Sequence, residues 1–416
     1  MSRRCIVDAW LDSIHPHSPP PCTDMLASRP ASSCASSSAM SCTPRSTRPV
    51  QGIASLAFEN GFRYVLLDDV DDETLDADTS VLRDRLLEVE QGTGVVPDAV
   101  RPFVEALPHA QRARFRYHNY ASLWEERRPH FELQHEFRDV QDIARRSARY
   151  DGSAQYSEAA WNDAVHSNVL QTALRPQPHV FWENVTHARI YPRDLVPRIA
   201  ASSPPVEAKM VDYAILIHPP DEMQSSLLSA LRREAELQPP GPAAPLLSLN
   251  HTDYAPIRTS PIAVSIATTA TDGNESQAKA QLAVWGASHL ARLDRLRRAS
   301  AASASPQDGA TAEESDGGEC SNGRGRLAQR LEPLPVLPLV FVAGVHWDLY
   351  FLAMRDDRSV TMVGSLRLGD TTSTLDIYKL LCGLRVLAEW AERLGAWWRR
   401  AVLSWVMNPI LLDYSL

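Results

Sequence analysis

Lys209 to Pro220 read "KMVDYAILIHPP", a short strand rich in β-branched and aromatic residues that stops at a proline pair. Alternation puts Val211, Tyr213, Ile215 and Ile217 on one face and Asp212, Ala214 and Leu216 on the other. Asp212 is then a carboxylate inside an apolar segment. A buried unpaired charge is costly, so this group must meet a metal, a cation or several hydrogen-bond donors. The first two make it a site residue; the third makes it an acceptor at a strand bend.

Outward from this strand the pattern stays readable. Upstream, "YSEAAWNDAVHSNVLQTALR" (156–175) spaces Trp161, Val165, Val169 and Ala173 four apart, as an amphipathic helix does. Glu158, Asn162 and His166 form a second line with the same step, which reads as a solvated edge or as the wall of a cleft. "HVFWENVTHARIYP" (179–192) is a second strand. Downstream come "NHTDY" (250–254) and "PIAVSIATTA" (261–270), a buried strand without a charged group. A helix follows in "QAKAQLAVWGASHLARLDRL" (277–296), with Leu282, Trp285 and Leu290 on its apolar side and Gln281 four residues before Trp285.

Helix with Glu, strand, strand with Asp, strand, helix with Gln: this order resembles the PD-(D/E)XK nuclease superfamily. The resemblance is carried by Trp161-Asn162 with Val165-His166, by Lys209-Met210-Val211-Asp212-Tyr213, by Asn250-His251-Thr252-Asp253-Tyr254, and by Gln281-Leu282 with Val284-Trp285. It implies an α/β, restriction-endonuclease-like core with a central mixed β-sheet flanked by helices. It also implies phosphodiester hydrolysis, with carboxylates holding Mg²⁺ because hard cations take oxygen ligands. Asp212 matches the first acid and metal ligand, Glu158 the helix acid, and Gln281 the bordering glutamine. The second acid falls on Ala267 and the lysine on Thr269, so the E-x-K pair is vestigial. Losing one preorganised charged group costs about two to three orders of magnitude in rate. The resemblance therefore implies a degenerate nuclease that keeps nucleic-acid (DNA or RNA) binding, with no cofactor, and Mg²⁺ only if it is active. Two alternatives stand beside it. One is an active enzyme with migrated residues among Asp272, Glu275 and Lys279, although Lys279 and Gln281 lie about 200° apart around a helix. The other is a protein-interaction scaffold whose partners are unknown.

Farther out, "LPLVFVAGVHWDLYFLAMRDDRSVTMVGSLRLG" (337–369) gives two or three strands with a turn at Arg355–Arg358. His346 there reads as a strand-end residue packed beside Trp347, with a catalytic base as the sharper reading. A long helix follows, with Leu375, Tyr378, Leu381 and Leu384 toward the core and a Trp-rich end that covers the sheet. In the N-terminal half, "DTSVLRDRLLEVEQG" points Val81, Leu82, Leu86 and Leu87 inward. "EFRDVQDIARRSARY" does so with Phe137, Val140, Ile143 and Ala144, leaving Arg145, Arg146 and Arg149 on a solvated face.

The 416 residues divide into a disordered Ser/Pro/Ala-rich tail (1–50), a helical region packed on the core (51–148), the nuclease-like domain (149–400) and a closing tail (401–416). A low-complexity loop (299–333) interrupts the domain. A formal charge of −9 argues against a surface coated for tight, non-specific nucleic-acid binding; "HLARLDRLRR" (289–298) is the dense basic helix face near the cleft. Six cysteines without ligand spacing read as free thiols. The longest apolar run is far short of the roughly 20 residues that span a bilayer. An intracellular protein without a membrane partner is expected, with nucleus and cytoplasm not separated.

Overall fold

The computed structural model describes residues 58, 60–70, 74–116, 120, 128–152, 156–198, 211–219, 221–237, 245–270, 274–304 and 331–403. All of them fall in one unit, Thr47–Leu416. The expected N-terminal tail, the loop 238–244, most of the 299–333 insertion and the residues beyond 403 lie outside the described residues.

Along the chain the main elements are β1 (Phe62–Leu66), α1 (Ala77–Glu90) and α2 (His130–Asp151). Helix α3 comes next, built from Glu158–Trp161, a π turn at Asn162–His166 and Ser167–Leu174. Then follow β2 (Val180–Asn184), β3 (Tyr213–Ile217), α4 (Asp221–Leu237), β4 (Ile262–Thr269) and α5 (Glu275–Ala304). The chain closes with β5 (Leu337–Ala343), β6 (His346–Met354), β7 (Val360–Asp370) and α6 (Thr374–Trp398). The seven strands form one mixed sheet in the order β1-β7-β6-β5-β4-β3-β2. The β1–β7 and β4–β5 pairs are parallel and the other four antiparallel.

Both faces of the sheet are covered, which is why β4 and β5 are apolar on both sides rather than alternating. Helix α5 lies on the face that carries Ser265, where Trp285 Nε1 donates to Ser265 Oγ at 3.0 Å. Helices α3 and α6 lie on the other face: Tyr213, the partner of Ile266, donates its hydroxyl to the Asn162 carbonyl at 3.0 Å. Helix α6 packs Leu375, Tyr378, Leu381 and Leu384 inward as expected, and Trp397 and Trp398 are buried at its end.

Several sequence expectations change. The segment "FRYVL", read as part of a helical region, is instead strand β1, added in parallel to the edge of β7. On α1 the buried positions are Thr79, Leu82, Leu86 and Val89, a stripe of i, i+3, i+7 and i+10, and Val81 faces outward. Helix α4 was not anticipated, although Leu227, Leu231 and Glu234 bury at helical spacing. Helix α5 runs to Ala304, six residues into the span expected to be loop.

Sheet packing leaves no room at Gly364 of β7. A Cβ built there would stand 2.1 Å from Cδ1 of Tyr350, whose ring lies across the glycine and is buried. Gly364→Ala is expected to lower the unfolding free energy by about 2–3 kcal/mol, the cost of overpacking around a ring that cannot swing away. Urea denaturation measures this, and an unchanged midpoint would mean that the Tyr350 ring has somewhere to go.

Candidate active site

The site starts from the distortion in α3. A π turn inserts one extra residue into the helix, a feature that recurs at functional sites. It turns Asn162 and His166 inward, where both are buried, while Glu158 stays half-buried. The solvated-edge reading of this line is therefore wrong at two of its three positions.

Asp212 stands immediately before β3 and is 2 % exposed. Its backbone is already in the sheet, with N–H donating to the Ile266 carbonyl at 2.9 Å and C=O accepting from Val185 N–H at 2.8 Å. Its carboxylate is engaged as well. Oδ2 accepts from the Thr268 backbone N–H at 2.9 Å, and Oδ1 accepts from Asn162 Nδ2 at 3.3 Å. The contacts continue: Asn162 Oδ1 lies 2.8 Å from His166 Nδ1, and His166 Nε2 lies 2.9 Å from the Gly344 carbonyl oxygen. Gly344 turns the chain between β5 and β6 at φ 53°, in the left-handed region that glycine tolerates. One polar chain thus links β3, β4, α3 and the β5–β6 turn.

Burial pushes the His166 imidazole down to about 4, although the Gly344 carbonyl and the Asp212 carboxylate act in the opposite sense. Burial also raises the Tyr213 phenol, helped by Asp212, Asp163 and Glu158. His166 is held between Trp161, stacked at 5.6 Å, and Trp347, edge-on at 5.6 Å. His346, expected beside Trp347, is exposed instead, because alternation along β6 turns it away and leaves that place to His166.

One residue beyond the Tyr213–Ile266 pair, Asp212 stands opposite Ala267. Ala267 and Thr269 are buried and share the sheet face of Ser265, toward α5. The cross-strand partner of Ala267 is Phe341, and Lys279 of α5 holds its Nζ 4.8 Å from that ring and 3.1 Å from Glu275 Oε2. Gln281 is half-buried on the same helix. Asp272 lies outside the described residues.

These residues do not fit a Mg²⁺ ion. Asp212 is one carboxylate, and where a second acid and a lysine would stand β4 supplies a methyl group and a hydroxyl, too few oxygen ligands for a hard cation. Among the described residues no three His, Cys, Asp or Glu side chains come together as a metal cluster.

The basic face expected at 289–298 is only partly a surface: Arg295 and Arg298 reach solvent and are paired with Asp194 and Asp294. His289, Arg292 and Arg297 are buried, and Arg292 forks onto Glu234 with two contacts of 2.8 Å. Arg297 and Arg298 both pair with Asp294 at 2.9 Å. Sequence reasoning missed Glu234, which belongs to the unanticipated α4, and the Thr268 N–H, a backbone donor that no side-chain pattern reports. Among the described residues no helix is long and apolar enough to cross a membrane.

Comparison with known proteins gives one finding. A family model described as PD-(D/E)XK nuclease superfamily matches residues 105–394. No curated protein and no solved structure matches the chain.

Proposed function

The chain belongs to the PD-(D/E)XK nuclease superfamily, and from that premise we propose that it is a catalytically degenerate member. In this reading the aspartate that would hold the metal serves as a structural cross-link. The observation that carries it is the double engagement of the Asp212 carboxylate by Asn162 and Thr268, beside Ala267 and Thr269. An ion that polarises phosphate and generates hydroxide needs several free oxygen ligands and an amine nearby. Asp212, with no acid or lysine beside it on β4, is too little to assemble that centre.

A second reading draws on Lys279. Its amine stands over Phe341, directly beside the Ala267 strand, so it reaches the sheet face that the lost E-x-K pair would serve. A migrated lysine of this kind still needs a second acid.

Both readings meet in one assay. Supercoiled plasmid incubated with the chain and Mg²⁺ or Mn²⁺ is expected to stay intact, and Asp212→Ala and Lys279→Ala to give the same trace as the parent. Nicking by the parent that either substitution abolishes would overturn the degenerate reading, and loss in Lys279→Ala in particular would establish the migrated one. Nucleic acid is the partner class that superfamily membership suggests. It is read by salt-sensitive retention of DNA or RNA, whereas a scaffold for proteins alone gives none.

A further inference from the structure

A cleft away from Asp212 carries an inference independent of the nuclease reading. It opens between α1, α6 and the turn at Pro176–Pro178, and its volume is about 720 Å³. That lies within the roughly 300–1,000 Å³ of small-molecule sites. One wall is apolar, made by Val81 and Leu82 of α1 with Val386 and Trp390 of α6. The other carries four arginines: Arg85, Arg128, Arg393 and Arg399.

Two of the four are committed elsewhere. Arg85 pairs with Glu389 at 2.6 Å and Arg393 with Asp78 at 2.8 Å, both at the rim. Arg128 is different, with a side chain only 7 % exposed. Its Nη1 donates to Glu136 Oε2 at 2.6 Å, and the same oxygen accepts from Arg385 Nη2 at 2.5 Å. Two buried guanidinium groups therefore share one buried carboxylate. The Nε–H of Arg128 has no hydrogen-bond acceptor; Glu132, half-exposed, stops 3.8 Å from it. Arg399, exposed at the end of α6, has no acidic partner among the described residues.

Buried donors are seldom left unmade, and a guanidinium fork matches carboxylate and phosphate oxygens. We propose that this cleft binds a small organic anion, with its phosphate or carboxylate group on Arg128 and Arg399 and its apolar part against Val81, Leu82 and Trp390. Three acids, Asp78, Glu389 and Glu392, also line the cleft, so the ligand's charge must be concentrated at one end.

Calorimetric titration of the full chain with phenyl phosphate and with benzoate, each with its charge at one end of an apolar ring, tests the site and separates the two oxyanion sources. Saturable binding of at least one probe is expected, weakened about tenfold by Arg399→Gln, roughly the worth of one charge-assisted contact. Arg128→Lys keeps a cation against Glu136 but removes the Nε–H, and is expected to weaken binding by a similar factor. Asp212→Asn should leave the affinity unchanged, which keeps this outcome separate from that of the nuclease reading. Absence of saturable heat with both probes, or an affinity that Arg399→Gln does not alter, would overturn the proposal. Because Arg399 is exposed and outside the buried network, that second result stands even if Arg128→Lys fails to fold.

Discussion

Arg292→Ala is expected to lower the unfolding free energy by about 3–5 kcal/mol, the usual cost of stripping one partner from a buried ion pair. Arg292 is fully buried on α5, and both of its terminal nitrogens lie 2.8 Å from the Glu234 carboxylate, with Nη2 also donating to the Ser248 carbonyl at 2.7 Å. Removing the guanidinium leaves a carboxylate and a carbonyl without that donor in a region closed to water. Replacing both members by apolar residues of similar volume, Arg292→Met with Glu234→Leu, should recover most of the loss, because the desolvation of two charges is then no longer required. Urea denaturation at constant slope gives both numbers. The alternative that the sequence invited, an arginine reaching for phosphate, makes the opposite forecast: stability nearly unchanged and a shallower salt dependence of nucleic-acid retention.

That arginine also shows how far the sequence could be read. "HLARLDRLRR" looks like a basic face because side chains three and four apart share one side of a helix. Arg297 and Arg298 are paired within the helix by Asp294, but the acid that neutralises Arg292 comes from elsewhere in the chain, Glu234 on α4, and Asp356 adds a second distant acid for Arg297. Long-range pairing of this kind leaves no trace in local periodicity. The central sheet was legible for the opposite reason, since β3, β4 and β5–β7 each carry an apolar run bounded by turn signals. Strand β1 was not, because "FRYVL" is short, half-exposed and flanked by helix-like sequence, and only its parallel partner β7 makes it a strand.

The candidate site divides along the same line. Side-chain types and their order brought Asp212, Asn162, His166, Ala267 and Thr269 into view, because motif residues are local. Their roles came from the backbone. The π turn rotates Asn162 and His166 inward, the Thr268 N–H caps the carboxylate, and the Gly344 carbonyl receives His166. Gln281, selected by its place before Trp285, is half-buried, and Lys279, two residues before it, reaches the sheet by lying over Phe341.

Asp212→Ala is the second substitution with a large expected effect, and its sign is what matters. As a cross-link, Asp212 leaves the Asn162 amide and the Thr268 N–H without their acceptor when removed. Each orphaned buried donor costs about 1–3 kcal/mol, so for two of them a loss of roughly 2–6 kcal/mol is expected. A carboxylate kept for metal chemistry behaves in reverse, since removing a catalytic charge commonly stabilises the fold.

Urea denaturation of the parent chain and of Asp212→Ala, each with and without Mn²⁺, tests this most directly. The predicted result is a destabilised Asp212→Ala chain and midpoints that Mn²⁺ moves in neither protein. A parent stabilised by Mn²⁺ in proportion to its concentration, as binding to the folded state requires, together with an Asp212→Ala chain as stable as the parent or more so, would contradict it.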